Sequence, residues 1–541
     1  MSETTEAAQT TELDAVIVGA GFSGLYQLYK LRELGFRVRV VEAAPEVGGT
    51  WYWNRYPGAR CDVESVDYSF SWVKELEQEW EWTEKYPAQP DILAYLKAVA
   101  DRFDLRRDID FNTTVSSAQW DESRQRWEVR TEDGKVYDAQ FAIMAVGCLS
   151  VPKEIDLNGF ENYTGEVLRT WNYPEDADLT GKKVCVIGTG STGAQVIPAL
   201  AGQVDELLVL QRTPNFVIPT RNRDLEPGEL DEIKADYRDR RHRNRNHAAG
   251  VDRLDNPQNA YDVDAEERRA TFEERWKGGG INFLGAFADL MFDQDANDAV
   301  CDYIRDKISE TVTDQDTAEK LKPRNYPMGA KRPVVATDYY ETYNRDNVHL
   351  EDLRTNDVDT FTATGVRMAD GTTHEFDAVV VAIGFDAFTG AMNAMNVRGR
   401  DGRRLQDEWD QNGPRTYLGV GIHGYPNLIN VASAGSPSVL ANMVTGIEQH
   451  VEWISDLLVW LRDNNLTTIE AEHDAQEQWV QTVEDIANMT LWPNGDSNSW
   501  YRGANIEGKT QIFVPYAGGI VEYQKSLDQS AENSYKGFVT A

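Results

Sequence analysis

Cysteine is scarce in this 541-residue chain, and the shortage excludes several classes of protein. The four cysteines show neither a CxxC pair nor the spacing of metal ligands. They predict reduced, mostly buried thiols and leave no pair for a redox-active disulfide. We therefore assign no metal site. The four are Cys61, Cys148, Cys185 and Cys301.

Positive charge is scarce relative to negative charge. Aspartate plus glutamate number 90 against 54 lysines plus arginines, so the formal net charge is -36. This balance argues against nucleic acid or an anionic membrane as a partner. A strongly acidic surface keeps a protein soluble where salt screens repulsion. Two interpretations stay open: a halophilic protein of a salt-rich cytoplasm, or an acidic mesophilic protein.

Long apolar runs are missing as well. No run reaches the length needed to span a membrane, so we expect no membrane partner. The N-terminal MSETTEAAQTTELD lacks the basic and apolar regions of a signal peptide. We expect a cytoplasmic protein, either a monomer or a weak homo-oligomer. At 541 residues and 41% hydrophobic content, the chain predicts two or three globular domains.

A strand, a glycine-rich turn, a helix and a second strand are predicted near the N-terminus. Residues 13–18 are apolar, GAGFSG follows, an amphipathic stretch reaches residue 34, and RVRVVE ends the pattern. This order is typical of a dinucleotide-binding unit, whose glycines allow a tight turn and close approach of a pyrophosphate to the helix N-terminus. The candidate cofactor residues are Gly19, Gly21, Phe22, Ser23, Gly24 and Glu42.

The same pattern restarts at residue 181. KKVCVIG predicts a strand, GTGSTG the turn, the following residues a helix to about residue 201, and ELLVLQR the next strand. The candidate cofactor residues here are Gly188, Thr189, Gly190, Ser191, Thr192 and Gly193.

The residue after the second strand distinguishes the two units. Glu42 lies 23 residues past the first glycine of its unit (42 minus 19), and Arg212 lies 24 past (212 minus 188). A carboxylate accepts ribose hydroxyls and repels a 2′-phosphate, whereas a guanidinium binds that phosphate with two hydrogen bonds. We therefore predict FAD in the first unit and NADPH in the second, with Thr213 adding a hydroxyl contact. The alternative for Arg212 is a solvated strand-end charge.

Residues 48–62, GGTWYWNRYPGARCD, place three aromatic side chains among glycines and charges directly after the first unit. Glycine lets backbone approach a ligand, and tryptophan and tyrosine supply flat apolar faces with polar edges. This composition suits the wall of a flavin site. The alternative is an aromatic loop packed under a sheet. The candidate residues are Gly49, Thr50, Trp51, Tyr56 and Asp62.

The stretch resembles the long fingerprint of Baeyer–Villiger monooxygenases. That fingerprint has a small residue, Gly, any residue, Trp, four residues, an aromatic, Pro, Gly or Met, three residues and Asp, and all of its fixed positions are met here. The resemblance extends over roughly residues 13–515. It implies an α/β fold with two Rossmann-like domains, one for FAD and one for NADP, and a helical insertion.

The resemblance also implies a reaction. NADPH would reduce FAD, and a C4a-peroxide formed from the reduced flavin and O2 would convert a small-molecule ketone to an ester or lactone. Arg332, in MGAKRP, would stabilise the developing negative charge, with Asp62 holding it in place. Lys331 would lie near the 2′-phosphate of NADPH. The alternative for Arg332 and Lys331 is a pair of ordinary surface cations.

Two further segments resemble the family. In GSPSVLANM, Ser438, Val439 and Leu440 would border the ketone pocket. In SWYRGANIEGK, Trp500 would close over the nicotinamide, with a simple buried tryptophan as the alternative. The implied division is 1–150 with 385–541 for the FAD domain, 151–220 with 331–384 for the NADP domain, and 221–330 for the insertion.

The shorter family signature is met imperfectly. Its Phe, Gly, His and Trp positions correspond to Tyr163, Gly165, Arg169 and Tyr173. Arginine neither accepts a hydrogen bond nor changes charge near neutral pH, so the departure bears on coupling between the domains. Alternatives are an N- or S-oxygenating flavin monooxygenase, an FAD disulfide reductase lacking its cysteine pair, and a non-catalytic flavin-binding protein. The basic run 236–247 predicts one solvated helix face.

Overall fold

The computed structural model describes residues 10–495 and 498–541, so residues 1–9 of the predicted FAD domain and of the acidic N-terminus lie outside the described residues. The strands are β1 (Thr10–Val18), β2 (Val38–Val41), β3 (Ile109–Asp110), β4 (Val115–Asp121), β5 (Arg126–Thr131), β6 (Val136–Met144), β7 (Glu166–Arg169), β8 (Lys183–Ile187), β9 (Glu206–Gln211), β10 (Val217–Pro219), β11 (Val334–Ala336), β12 (Val348–Asp352), β13 (Val358–Thr362), β14 (Gly365–Met368), β15 (Thr373–Glu375), β16 (Ala378–Val381), β17 (Val397–Arg398), β18 (Leu428–Asn430), β19 (Ile469–Ala471) and β20 (Phe538–Thr540).

The α-helices lie between and after these strands. They are α1 (Phe22–Glu33), α2 (Thr50–Trp53), α3 (Lys74–Glu79), α4 (Gln89–Arg102), α5 (Ser191–Ala201), α6 (Glu229–Arg245), α7 (Ala265–Gly278), α8 (Gln294–Thr311), α9 (Gln315–Leu321), α10 (Tyr339–Thr342), α11 (Gly390–Ala394), α12 (Leu405–Asn412), α13 (Met443–Asp463), α14 (His473–Asn488) and α15 (Gly519–Glu532). Among the described residues, no helix is both long and apolar enough to cross a membrane.

The first sheet contains eight strands from both ends of the chain. Its order is β17-β4-β5-β6-β1-β2-β3, with β18 also pairing with β6. The β1, β2 and β3 pairings are parallel, whereas β4, β5 and β6 form an antiparallel meander. The apolar run of β1 is buried on both faces, as expected of a central parallel strand. The carboxyl ends of its parallel strands therefore form one edge for a ligand.

The second sheet has five parallel strands in the order β12-β9-β8-β16-β7. The predicted β8, α5 and β9 form its dinucleotide-binding unit. Two smaller sheets are formed by strands that lie between those of the second sheet in the sequence. One is a three-stranded antiparallel sheet of β13, β14 and β15, and the other is a two-stranded sheet of β10 and β11. The fold is α/β with two Rossmann-like cores, as predicted, because each glycine-rich turn connects a buried parallel strand to a helix.

Residues 221–330 carry helices α6 to α9. The expectation of one solvated face over 236–247 holds for Arg238, Asp239, His242 and Arg243, which are exposed, but the opposite face of the helix is buried. Arg240 and Arg241 are largely buried, with Arg240 bound to Asp67 at 2.7 Å and Arg241 bound to Glu77 at 2.9 Å. A charge run on one helix does not reveal buried carboxylates elsewhere in the chain, so the sequence pattern could not show this contact. These pairs attach α6 to the first unit.

Candidate functional site

One cavity of about 720 Å3 lies between the two dinucleotide-binding units. Its lining combines the first glycine turn, the aromatic fingerprint, the start of α5 and parts of the C-terminal half. The predicted residues that line it are Gly19, Gly21, Phe22, Ser23, Glu42, Gly49, Thr50, Trp51, Tyr56, Asp62, Ser191, Thr192, Arg332, Val439 and Trp500. These fifteen residues converge on one cavity although they are up to hundreds of positions apart in sequence, whereas Gly24, Arg212, Thr213 and Lys331 do not line it.

The two glycine turns have matching geometry. The N–H of Gly19 donates to the Val41 carbonyl at 2.9 Å, and that of Gly188 donates to the Leu210 carbonyl at 3.0 Å. A side chain at Gly24 would collide with the Gly19 carbonyl, and one at Gly193 with the Gly188 carbonyl. The third glycine of each turn therefore allows the helix to pack against its strand.

The second turn is also tied to the segment after β9. Thr189 is buried, and its hydroxyl donates to the Thr213 carbonyl at 3.2 Å. Gly188, Thr189, Gly190 and Gly193 lie outside the lining of the main cavity. The first turn is thus inside the cavity, whereas only Ser191 and Thr192 of the second reach it.

Glu42 ends the second strand of the first unit and is buried in the cavity wall. Its carboxylate accepts the Ala20 N–H at 2.6 Å and the Ala44 N–H at 2.8 Å. Burial raises the pKa of Glu42, and the backbone N–H groups oppose that shift. Each carboxylate oxygen has lone pairs left for a ribose hydroxyl. The carboxylate is thus fixed where the sequence predicts the ribose.

The fingerprint joins the two units. The Tyr56 hydroxyl donates to the Gln195 side-chain oxygen at 2.9 Å, and the Gln195 amide donates to the Arg60 carbonyl at 3.0 Å. Gly58 has φ +83°, and a Cβ there would lie 2.6 Å from the Gln195 carbonyl oxygen. The Pro57-Gly58 turn therefore packs directly on α5, which explains why glycine is needed.

Arg332 is the centre of the junction. Its Nε and Nη2 donate to one oxygen of Asp62, at 2.9 and 2.7 Å, and its Nη1 donates to the Val439 carbonyl. Burial acts to lower the pKa of Arg332, but the Asp62 carboxylate outweighs it and the net shift is upward. The guanidinium is therefore charged, oriented and held at the cavity wall.

Tyr501 and Cys148 lie close to this guanidinium. Burial raises the pKa of Tyr501 to about 12, and the charge of Arg332 opposes that shift. Burial likewise raises the pKa of Cys148, which lines the cavity, to about 11. Both groups therefore stay protonated at neutral pH, so neither provides an anionic nucleophile.

Three cations gather beyond the second turn. Burial first, and then the charges of Arg212 and Lys153, lower the pKa of Lys331 to about 8. Burial and Arg212 also lower the pKa of Lys153. Within the described parts of the chain, none of the three has a carboxylate oxygen within 4.0 Å. The cluster is thus built to receive an anion.

The C-terminal segment covers one side of the cavity. Trp500 lies in a short 3₁₀ turn, Trp500–Arg502, with its ring 5.7 Å from Phe388. Lys509 binds Asp386 at 2.6 Å, which holds the segment against the chain after β16. Of the three predicted pocket residues, Val439 lines the cavity, Ser438 is buried behind it, and Leu440 is partly buried.

The chain segment that carries the shorter family signature contacts the fingerprint through residues other than Arg169. Trp171 stacks on Trp53 with ring centroids 4.7 Å apart, and the Asn172 N–H donates to the Trp53 carbonyl at 2.7 Å. Arg55 binds Glu175 at 2.6 Å. Arg169 is exposed at the end of β7. The contacts between this segment and the fingerprint therefore come from Trp171, Asn172 and Glu175, which follow Arg169 in the sequence.

Sequence reasoning missed several of these groups. Lys153 follows the first unit as an isolated lysine, and Trp171 falls in the imperfect signature, so neither stands out as a pattern. The acceptor at Val439 is a backbone carbonyl, which every residue type has, so no sequence pattern indicates it. The only signal in the sequence was that Lys153 lies shortly after the end of a strand, which is where ligands bind in such sheets.

Comparison with known proteins finds relatives over nearly the whole chain. A flavin-binding monooxygenase-like family model matches residues 14–229. A cyclohexanone 1,2-monooxygenase of Acinetobacter is 41% identical over 98% of this chain and 97% of its own length. A Baeyer-Villiger monooxygenase of Pseudooceanicola batsensis is 39% identical over 100% and 98%. A phenazine N-monooxygenase of Lysobacter antibioticus is 40% identical over 98% and 97%.

Fold and site together define the class, a flavin-binding monooxygenase with a second dinucleotide-binding unit. Among solved structures, an oxidized steroid monooxygenase bound to NADP matches with a TM-score of 0.93 and 46% identity, over 98% of this chain and 99% of that chain. The chain belongs to the Baeyer–Villiger monooxygenase family.

Proposed function

We infer that the protein is an FAD- and NADPH-dependent Baeyer–Villiger monooxygenase that inserts one oxygen atom of O2 next to a ketone carbonyl. The reaction consumes ketone, O2, NADPH and a proton and yields an ester or lactone, NADP+ and water. One observation carries this function: Arg332, paired with Asp62, stands in a cavity shared by both dinucleotide-binding units.

The cavity lining fits FAD. The first glycine turn and the start of α1 would take its pyrophosphate, Glu42 its adenosine ribose, and the wall around Trp51 its ring system. Trp171 also lines this cavity, and its indole Nε1 is buried without a hydrogen-bond partner among the described residues. Such a donor calls for an acceptor from a bound molecule. When bound, FAD accepts hydride from NADPH and activates O2.

The cation cluster fits the 2′-phosphate of NADPH. Arg212 offers a bidentate guanidinium, and Lys331 and Lys153 add two ammonium charges at partly buried positions. Ser191 and Thr192, at the N-terminus of α5, would face the pyrophosphate and direct the nicotinamide end into the main cavity. We propose that Thr213 and the glycines of the second turn support this arrangement, and that Trp500 covers the nicotinamide.

Arg332 would stabilise negative charge on oxygen during transfer to the ketone. A guanidinium has five N–H donors. Asp62 and Val439 take three of them in the hydrogen bonds seen here. The remaining two can donate to oxygens inside the cavity, where low polarity strengthens such bonds. Asp62 keeps the donors aimed, and we propose that Ser438, Val439 and Leu440 border the ketone.

We further propose the division into 1–150 with 385–541, 151–220 with 331–384, and 221–330, supported by the distribution of strands between the two main sheets. A cytoplasmic location is supported by four free, buried cysteines. We propose a monomer or weak homo-oligomer that tolerates high salt, supported by the acidic composition.

Oxygenation of nitrogen or sulfur is the second candidate function. The relative named phenazine N-monooxygenase, 40% identical over nearly its whole length, favours it. The charged, fixed Arg332 favours ketone oxidation, because that reaction develops negative charge on the carbonyl oxygen. A product analysis separates the two.

The test supplies the FAD-loaded enzyme with NADPH, O2 and a panel of ketones, sulfides and aromatic amines, and identifies the products. We expect esters or lactones from ketones. Arg332→Ala should retain anaerobic reduction of the flavin by NADPH, yet lose ester formation by about 10²–10³-fold, the usual effect of removing such a donor.

Arg324→Ala is the matched control, since Arg324 is an exposed arginine of the same segment. It should leave ester yield unchanged. Ester formation by Arg332→Ala at the normal rate would contradict the role of this residue, and products limited to sulfoxides and N-oxides would establish the second function.

A further inference from the structure

The loop that carries Val439 contains two strained residues. Ala432 has φ +50° and Ser438 has φ +43°, and neither is a glycine. Left-handed backbone is unfavourable for such residues and persists only where surrounding contacts hold it. The Val439 carbonyl, which accepts from Arg332, follows directly. Some group outside the loop must therefore fix this geometry.

His450, on α13, contacts the loop at its first strained residue. Its Nδ1 lies 3.3 Å from the Ala432 nitrogen, and its Nε2 lies 2.7 Å from the Tyr523 hydroxyl. That hydroxyl donates its only proton to the Leu418 carbonyl. Nε2 is therefore the protonated nitrogen, which donates to Tyr523, and Nδ1 accepts from the Ala432 N–H.

The surroundings keep His450 in this state. His450, Tyr523 and Ala432 are all almost completely buried. Burial lowers the pKa of His450 to about 4, opposed by the neighbouring Asn430 carbonyl. A protonated ring would place a hydrogen on Nδ1 and could not accept from Ala432. The neutral ring is thus the form that fits.

A second hydrogen bond continues from Ala432 towards the cavity. The Ser438 hydroxyl donates to the Ala432 carbonyl at 3.1 Å. Ser438 begins the short 3₁₀ turn Ser438–Leu440. The position of Ala432 therefore sets that of Ser438, and the turn sets the direction of the Val439 carbonyl.

We propose that His450 is a positioning residue that, through Ala432 and Ser438, orients the Val439 carbonyl and with it the guanidinium of Arg332. The inference rests on the proposed role of Arg332. His450 contacts the loop and not the cavity, so its effect is on the aim of Arg332 and not on cofactor binding.

The experiment compares His450→Phe, His450→Gln and the control Gln449→Leu in the FAD-loaded enzyme. Glutamine offers an oxygen for the Ala432 N–H and an amide for Tyr523. Gln449 is also buried on α13, but its amide donates to the Ile520 carbonyl and, among the described residues, makes no hydrogen bond to residues 430–441. The readouts are amide hydrogen exchange of residues 430–441 and the share of consumed NADPH that yields ester instead of hydrogen peroxide.

In His450→Phe, we expect the backbone amides of residues 430–441 to exchange at least tenfold faster than in the wild type. The variant should also lose most of the share of consumed NADPH that yields ester, while NADPH reduces its flavin at the same rate. His450→Gln should recover at least half of both losses, and Gln449→Leu should show neither. If His450→Phe does not fold, Tyr523→Phe serves instead, with a smaller change in the same direction.

The inference is overturned if His450→Phe, or its substitute, keeps normal exchange and a normal ester share, or if Gln449→Leu loses as much. A wild-type enzyme that forms no ester from any ketone would refute the proposed function. In that case the exchange of residues 430–441 alone decides whether His450 holds the loop.

Discussion

Lys153, Arg212 and Lys331 form a cation cluster without a carboxylate partner among the described residues, in a chain with a net charge of -36. Lys153 and Lys331 are partly buried and Arg212 is exposed. Burial, and then the neighbouring charges of Arg212 and Lys153, lower the pKa of Lys331, so the three cations repel one another. By contrast, the buried or partly buried cations Arg240, Arg241 and Arg332 each have a carboxylate beside them. We propose that a doubly charged phosphate relieves this repulsion when it binds.

Lys153→Met should therefore weaken NADPH binding about tenfold, corresponding to about 1.4 kcal/mol, and leave NADH binding within twofold. Only NADPH carries the phosphate that the ammonium attracts. The dissociation constants of both cofactors, measured by titration of the oxidised enzyme with NADP+ and NAD+ as stable analogues, check this. Arg212→Ala should act in the same direction.

Lys183→Met is the control, because Lys183 belongs to the same unit but is exposed and bound to Glu206 at 2.6 Å. It should alter neither constant. An equal loss of NADP+ and NAD+ affinity in Lys153→Met would show that the lysine does not interact with the phosphate.

At the scale of elements, α6 is held to the first unit by buried ion pairs. Arg240 binds Asp67 at 2.7 Å and Glu64 at 2.9 Å. Burial acts to raise the pKa of Asp67, but the hydrogen bonds and charge of Arg240, together with Asn244 and Arg241, outweigh it and the net shift is downward. Breaking such a pair leaves a buried charge uncompensated. The helix therefore depends on both partners.

Arg240→Met should lower the free energy of unfolding by about 3–5 kcal/mol, the usual cost of breaking a buried pair. Since the folded pKa of Asp67 lies below its ordinary 3.8, the stabilisation is present above pH 3.8 and is lost as the pH falls through the folded pKa. Urea unfolding of the FAD-loaded enzyme at pH 7 and at a series of pH values below 3.8 measures both effects.

Arg243→Met provides the comparison. Arg243 is on the same helix and binds Asp236 and Asp252, but at an exposed position. Exposed pairs contribute about 0–1 kcal/mol, so this variant should stay close to the wild type. Equal losses for the two variants would mean that burial does not determine the strength of these pairs.

Elements with a clear period were predictable from the sequence, and contacts between distant elements were not. Apolar residues at three- and four-residue spacing predict the helix α13, and alternation of apolar and polar residues predicts the strands β4, β5 and β6. Gly19 and Glu42 follow from the βαβ pattern alone. Asp67 lies 173 residues from Arg240, so nothing in the basic run indicates their pairing.

At the scale of the whole molecule, self-repulsion among acidic residues opposes the compact state. Salt weakens both this repulsion and the attraction within surface ion pairs. With 90 acidic residues against 54 basic ones, at least 36 acidic residues cannot pair one-to-one with a base, so repulsion is the larger effect. The balance favours a protein that salt stabilises.

Raising KCl from about 0.05 to 1 M should therefore raise the thermal unfolding midpoint by several degrees. Calorimetry of the FAD-loaded enzyme measures the midpoint, and sucrose at equal osmolality is the control for effects unrelated to charge. A midpoint that keeps rising beyond about 0.2 M supports adaptation to a salt-rich cytoplasm. A midpoint that is constant or falls would favour the acidic mesophilic interpretation.

The eight-stranded sheet has one further consequence, for the protein during its synthesis. β18 pairs with β6 through Ala142, Ile143 and Met144, but it is made 284 residues later (428 minus 144). While the ribosome makes the second sheet, the edge of β6 at Ala142, Ile143 and Met144, beyond its pairing with β5, has no partner and is open to other nascent chains. Translation that stalls before residue 428 would thus release a chain prone to aggregation, whereas the five strands of the second sheet would already be complete.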